Sequence, residues 1–392
     1  MFSKLFDSFL VHYLERFNDH CFTVKIGDNE YTIGDGESEF TVIVNRDIPK
    51  KDLLISAELA LGEAYMRKDI EIEGDLFKAL CVVLGHVGKD SINRKVLSSL
   101  FNAGLKKKDQ KQQVSSHYDL GNEFYKLWLD ETMSYSCAYF KHDDDSLKDA
   151  QYQKVHHILD KLYLKEGMTL LDIGCGWGGF LLIEAARKYG VKGYGCTLSE
   201  EQWKKGGQER IKEYGLEGQV EIELIDYRDV AASGRTFDRI VSIGMLEHVG
   251  RPNFPLYMED ASDMLKNGGL FLLHYISDPS EKETSAWIRK YIFPGGCLPS
   301  LREMVSLAYD YDMNVIDVES LRYHYYKTLM HWYNNFQGVR EQVEAKRGSE
   351  FVRMWDLYLC GCAAGFYIGN MDLHQILMTK GVTNELPLTR WY

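Results

Sequence analysis

Apolar residues follow two rhythms along this chain. From Cys21 to Val44, CFTVKIGDNEYTIGDGESEFTVIV, they alternate with polar ones, and Gly27-Asp28-Asn29 and Gly34-Asp35-Gly36 interrupt the alternation. A period of two punctuated by turn residues predicts a β-meander. On either side the spacing is helical. Residues 1–20 gather Phe2, Leu5, Phe9, Leu10, Tyr13 and Phe17 on one side, and helices are expected over Leu53–Leu61 and across 75–104. The first segment carries charges throughout and reads as an amphipathic helix, packed on its own domain or lying on a membrane surface, rather than as a secretion signal. Residues 1–104 are thus expected to form a small α+β docking domain, with no cluster of chemistry in it.

Residues 105–116, LKKKDQKQQVSS, are polar and unpatterned and read as a linker. Next comes an aromatic-dense stretch, HYDLGNEFYKLWLDETMSYSCAYF, for which a buried helix pair is expected, with Tyr135-Ser136-Cys137 placed as a lid. Beyond it strands are predicted at 169–173, 192–196, 220–225, 238–243, 269–275 and 313–320, with helices between them. A C-terminal helix then leads into a last strand, DLHQILMTKG. Alternation of this kind predicts an α/β Rossmann-like domain over 117–392, a mostly parallel sheet with helices on both faces. Such folds bind ligands at the carboxyl ends of their strands. There this chain carries a glycine loop, then Thr197-Leu198-Ser199-Glu200-Glu201-Gln202, Asp226-Tyr227-Arg228-Asp229, Gly244-Met245-Leu246-Glu247-His248 and His274-Tyr275-Ile276.

The glycine loop, LLDIGCGWGG over Leu170–Gly179, reads as strand, tight turn, helix start. Gly174-x-Gly176-x-x-Gly179 fits the dinucleotide fingerprint formally. That fingerprint also wants an acid at the end of the second strand to hold ribose hydroxyls. Here the second strand runs into Thr197-Leu198-Ser199, so NAD or FAD is disfavoured and S-adenosylmethionine is the better expectation.

Composition narrows the partners. Forty-six basic and 58 acidic residues give a net charge of −12, which disfavours a global nucleic-acid binder. The eight cysteines include no CxxC pair, so a zinc site is not expected, and reduced thiols suit a cytoplasmic protein. No apolar run approaches the roughly 20 residues of a membrane span. The lysines at 106, 107, 108 and 111, and the apolar-basic segment Trp287–Phe293, are the candidate membrane-facing patches; a solvated linker is the alternative for the lysines.

Taken together, YSCAYF, LLDIGCGWGG, TLSEEQ, IDYRDV, GMLEHVG, LLHYI and HYYKTLMHWY resemble, in order from about residue 117 to the end, the cyclopropane-fatty-acyl-phospholipid synthases. That family is similar to class I methyltransferases. GEAYMRKDIEIEGDLF resembles the branch acting on bacterial phospholipids, implying a lipid-binding role for the N-terminal module. The resemblance implies transfer of a methylene from S-adenosylmethionine to a cis double bond of membrane phospholipid acyl chains. It also implies a bound bicarbonate that removes the final proton, peripheral contact with the inner face of the cell membrane, and a homodimer. The bicarbonate pocket carried over is Cys137, Glu247, His274, Ile276 and Tyr325. Cys137 and Ile276 would offer backbone N–H groups, and His274 and Tyr325 side-chain donors. Glu247 would either accept from the bicarbonate hydroxyl or be protonated. Cys362 is an active-site residue by resemblance only; a buried core cysteine fits its surroundings as well. Cofactor contacts are expected from Tyr135, Ser136, Asp172, Gly174, Gly176, Gly178, Thr197, Leu198, Gln202, Tyr227 and Arg228, with Tyr227 stacking on adenine.

Taken singly, Glu247-His248 could cap a helix and His274 could be structural. Their joint placement at strand ends is what favours chemistry. A methyltransferase for another lipid or a small molecule would leave Glu247, His274 and Tyr325 unexplained together. A non-catalytic lipid-binding protein would leave the intact glycine loop unexplained.

Overall fold

The computed structural model describes residues 14–17, 19–87, 120–177 and 179–390. The 105–116 linker, the lysine run at 106–111, most of the first expected helix, the 88–104 continuation and Gly178 lie outside the described residues. The chain divides into two compact units. One holds the N-terminal elements together with Thr284–Pro294 and Leu329–Asn370; the other holds the remaining described residues from 120 on. Two stretches expected to belong with 117–392 therefore group with the N-terminal elements.

The N-terminal unit is built on a four-stranded sheet, β1 Phe22–Ile26, β2 Asn29–Ile33, β3 Phe40–Val44 and β4 Ile70–Gly74, in the order β2-β1-β3-β4. The first hairpin is antiparallel as expected, but β3 pairs parallel with β1, so the chain is not a simple meander. The 34–39 connection carries the chain past β1 to its far edge, which makes β1 one of the two inner strands, with Phe22, Val24 and Ile26 buried. Phe22 and Phe40 stack at 5.0 Å, and helices Lys50–Met66 and Leu76–Val87 close the core with Ala60, Ala64, Ala79 and Val82. Helix Ser349–Tyr367 is held to this unit by Arg353. Its guanidinium donates to the carbonyls of Tyr65 at 2.6 Å and Ile70 at 2.9 Å and lies 4.0 Å from the Tyr65 ring centroid.

The second unit is a seven-stranded sheet of β5 Thr169–Ile173, β6 Lys192–Thr197, β7 Val220–Leu224, β8 Phe237–Ile243, β9 Leu265–Ser277, β10 Met313–Ser320 and β11 Asp372–Lys380. Its order is β10-β11-β9-β8-β5-β6-β7. β5 through β9 run parallel, and β11 inserts antiparallel between β9 and β10. Alternate residues of β5 feed opposite faces. Leu171 and Ile173 join the core that includes Tyr257, Met258 and Met304, while Leu170 joins Ile158, Leu159, Leu182 and Ala185. The apolar TLLDI run is what a strand covered on both faces requires. Strand order reverses between β5 and β8, and the crevice outside their carboxyl ends is the binding position of such sheets. This is the class I methyltransferase architecture expected from the sequence.

Candidate functional site

A cavity occupies that crevice. Its floor is backbone: after β5 the chain turns through Gly174 (φ 82°) and Gly176 (φ 60°), left-handed values natural only to glycine. At Gly174 an added Cβ would meet Met245 Cγ at 2.9 Å; at Gly176 it would meet no protein atom within 4 Å, so that position opens onto the cavity. After β6, Thr197 donates its hydroxyl to Gln202 Oε1 at 2.9 Å, and both residues line the cavity. Gln202 starts a seven-residue π-helical segment, Gln202–Gln208, a local form frequent at binding sites. After β7, Asp226 caps helix Tyr227–Ala232 and binds Arg228 through both oxygens, at 2.8 and 2.7 Å. Tyr227 packs edge-on against Tyr257, with ring centroids 5.4 Å apart, and keeps its buried hydroxyl without a partner.

Tyr135 and Ser136 complete the cavity lining. The aromatic stretch around them is not the expected helix pair. One short helix, Asn122–Tyr125, precedes turns in which Met133 takes a φ of 56°. Its aromatics instead cluster: Tyr125 lies 4.8 Å from Trp177 and 5.3 Å from Tyr135, and Asn122 accepts from the Trp177 indole at 2.7 Å. The stretch is thereby fastened onto the glycine loop. Helix Leu147–Lys161 holds Ser136 from behind, Gln151 donating to its carbonyl at 2.9 Å and Lys154 to its hydroxyl at 3.0 Å. Burial pushes the Asp172 carboxyl up to about 7 and pulls the Lys154 ammonium down to about 8, and each group opposes the other's shift. Every residue expected at the cofactor lines this cavity except Gly178, which is outside the described residues.

The expected base pocket falls into two groups. Glu247, in the short helical turn after β8, accepts from the Ile276 N–H at 2.7 Å, and its other oxygen is buried without a partner. The Ile276 N–H is thus committed to Glu247 rather than available to an anion. Burial raises the Glu247 carboxyl to about 7, against the pull of the Ile276 bond. His274 lies two residues before Ile276 on β9, fully buried, its Nδ1 at 3.1 Å from Gln375 and its Nε2 without a partner. Burial holds its pKa well below the usual value, and the nearby Lys154 and Lys161 reinforce this. In the other group, the Cys137 thiol lies 3.9 Å from the Leu321 carbonyl, the same carbonyl that Tyr325 N–H reaches at 3.0 Å. Burial pushes the Cys137 thiol far up, so it is no nucleophile. The charge of Lys154 acts on both Cys137 and His274. Cys362 lies on helix Ser349–Tyr367 of the N-terminal unit, its thiol pushed up to about 12 by burial.

Sequence reasoning passed over Lys154, which lines the cavity, and Gln375 behind His274; Asp226, Met245 and His248, also cavity-lining, stood among the strand-end residues but were given no role. The signal available was Gln151, Lys154, His157 and Lys161, polar residues at near-helical spacing on the buried side of an otherwise apolar helix face.

Comparisons with known proteins agree with this geometry. The family model described as mycolic acid cyclopropane synthetase matches residues 105–376, and one described as a domain of unknown function matches 9–89. The chain belongs to the cyclopropane synthetase family. It is 38% identical to a probable fatty acid methyltransferase of Pseudomonas putida over 94% of both chains. It is 40% identical to the cyclopropane-fatty-acyl-phospholipid synthase of Escherichia coli K12 over 87% of this chain and 88% of that one. Among solved structures it resembles mycolic acid cyclopropane synthase CmaA1 complexed with SAH and CTAB, at a TM-score of 0.61 and 35% identity, over 69% of this chain and 98% of that one.

Proposed function

We propose that this chain is a cyclopropane-fatty-acyl-phospholipid synthase, which adds a methylene from S-adenosylmethionine to the cis double bond of a phospholipid acyl chain. The observation that carries this is the pairing of two features in one fold. One is a glycine-floored cavity at the switch point. The other is a buried constellation in which Glu247 Oε2 and His274 Nε2 have no protein partner.

The cavity suits the cofactor. Gly176 opens onto it, and Gln202, its amide oxygen held by Thr197, and Tyr227, its buried hydroxyl without a partner, both line it. Gly174 and Gly176 would take the methionyl part, Thr197, Leu198 and Gln202 the ribose, and Tyr227 and Arg228 the adenine, with Tyr135 and Ser136 closing over it. S-adenosylmethionine supplies an electrophilic methyl on a sulfonium. The protein's task at the alkene is positioning, because an alkene has no proton to remove first. Methylation of the double bond leaves a carbocation, which needs water excluded and a base for one proton of the new methyl. Burial supplies the first. For the second, the orphaned Glu247 and His274 atoms suit a bicarbonate ion, His274 and Tyr325 donating to it. Glu247, raised to about 7, is placed to orient its hydroxyl or to donate when protonated.

The acyl substrate lies in a bilayer, and no helix among the described residues is long and apolar enough to cross one. Peripheral binding at the inner face of the cell membrane, from the cytoplasm, is therefore proposed. Trp287–Phe293 does not support it. Trp287 is buried in its own unit, where an added Cβ on Gly62 would meet its ring at 2.5 Å, and Lys290 pairs with Glu63 at 2.6 Å. A homodimer is proposed on the family resemblance, and light scattering at micromolar concentration would refute it with a monomer mass.

The enzyme incubated with S-adenosylmethionine and monounsaturated phosphatidylethanolamine–phosphatidylglycerol vesicles should add one CH₂ per double bond by mass spectrometry. Mass alone does not separate a ring from a methylated alkene, since both gain CH₂. Proton NMR should show cyclopropane methylene signals in place of olefinic ones. Retained olefinic protons beside a new methyl would make the chain a lipid methyltransferase instead, and no gain in mass would refute both.

A further inference from the structure

Behind His274 three strands line up polar side chains that no cofactor contact explains. Glu319 on β10 sits opposite Gln375 on β11, and Gln375 sits opposite His274 on β9. Lys161, on helix Leu147–Lys161 and itself 1% exposed, reaches this row and donates to Glu319 Oε2 at 2.5 Å and to Gln375 Oε1 at 2.9 Å. His157 from the same helix meets Glu319 Oε2 at 2.7 Å. Burial alone would raise the Glu319 carboxyl, but the His157 hydrogen bond and the Lys161 charge outweigh it and hold Glu319 ionised, near 2.

The chemistry of these groups leaves one arrangement. An ammonium only donates, so the Gln375 atom facing Lys161 must be its carbonyl oxygen. The Gln375 NH₂ then faces His274 Nδ1, 3.1 Å away, and that nitrogen must accept. A neutral imidazole with Nδ1 accepting carries its proton on Nε2, the ring atom left without a partner. The charges of Lys154 and Lys161 disfavour a second proton on the ring. We infer that Gln375, fixed by Lys161 and Glu319, is a positioning residue that locks His274 as its Nε2–H tautomer, so that the ring atom without a protein partner is a proton donor. The inference rests on the proposed role of His274. It adds the element that sets the donor's direction, through groups that never touch the substrate. Orienting partners of this sort typically contribute 10–100-fold when they hold a ligating histidine.

The test is nitrogen NMR on ¹⁵N-histidine-labelled full-length enzyme, with the His274 signals assigned by their loss in His274→Gln. The wild type should show Nε2 bearing the proton and Nδ1 bare. Gln375→Glu replaces the NH₂ donor with an accepting oxygen and should move the proton to Nδ1. Turnover should fall about 10–100-fold, with S-adenosylmethionine affinity by calorimetry unchanged. A wild-type ring protonated on Nδ1, or on both nitrogens, overturns the inference whether or not the variant folds, and so does a tautomer indifferent to Gln375→Glu. If the proton moves but turnover does not change, the tautomer lock stands and the role of His274 in the reaction is what fails.

Discussion

The cofactor cavity and the constellation around Glu247 and His274 occupy the same edge of one sheet but are built differently. The cavity is made mostly of backbone and short-range bonds: left-handed glycines, the Thr197–Gln202 pair, the Asp226 cap on Arg228. Each part is local in sequence. The second site is assembled from side chains of the turn after β8, of β9, β10 and β11, and of helix Leu147–Lys161, up to 214 residues apart in the Lys161–Gln375 bond. The difference teaches that the two can be damaged separately, one through backbone shape and the other through proton placement.

The largest effect should come from the backbone site. Gly176→Val puts a β-branched side chain at a φ of 60° and fills the space the cavity needs. S-adenosylmethionine binding should be abolished in a calorimetric titration, and unchanged affinity would break the assignment of the loop. The second site should instead lose rate. His274→Ala and Tyr325→Phe are expected to lower turnover about 10²–10⁴-fold, the range for a misplaced proton-transfer group. Bicarbonate added back to carbonate-depleted buffer should restore part of it. Equal turnover of both variants and wild type without bicarbonate would remove the proposed base site.

Lys154 joins the two regions, bonding Ser136 at the cavity while its charge acts on Cys137 and His274. Lys154→Met should raise the KM for S-adenosylmethionine about tenfold, equivalent to one hydrogen bond of about 1.4 kcal/mol. An unchanged KM would leave the Ser136 segment held by Gln151 and its aromatic neighbours.

The last contrast concerns stability and not turnover. The Glu247 carboxyl is raised from its usual range to about 7, so the folded protein holds this proton more tightly than the unfolded chain. Its contribution is full below about pH 4.5 and is lost as pH rises through about 7. Glu247→Gln cannot ionise. Relative to wild type it should gain stability between pH 5 and pH 8, by up to about 3 kcal/mol, in paired denaturant titrations. No change in the difference between the two proteins would mean that Glu247 titrates normally.

These contrasts also explain what could be read from the chain. Five of the six strands expected in 168–320 lie within two residues of the observed ones, because a strand buried on both faces writes itself as a short apolar run bounded by turns. The remaining one, β9, begins four residues earlier than expected and runs through the Gly268–Gly269 pair. The parallel β1–β3 pairing was not legible, since alternation gives a strand but not its neighbour. Nor was the return of Leu329–Asn370 to the N-terminal unit, which depends on long-range contacts such as Arg353 to Tyr65 and Ile70. At the site, glycines and strand-end residues stood out by type and place. Lys154, Lys161 and Gln375 did not, because a polar residue on a helix or strand looks solvated until the fold buries it.

The separation of the two sites is tested most directly by measuring cofactor affinity and turnover on the same preparation of Glu247→Gln. The expected result is an S-adenosylmethionine affinity within a few-fold of wild type, with cyclopropane formation slower by about 10²–10⁴-fold. Affinity that falls in step with turnover, or turnover at the wild-type rate, would contradict it.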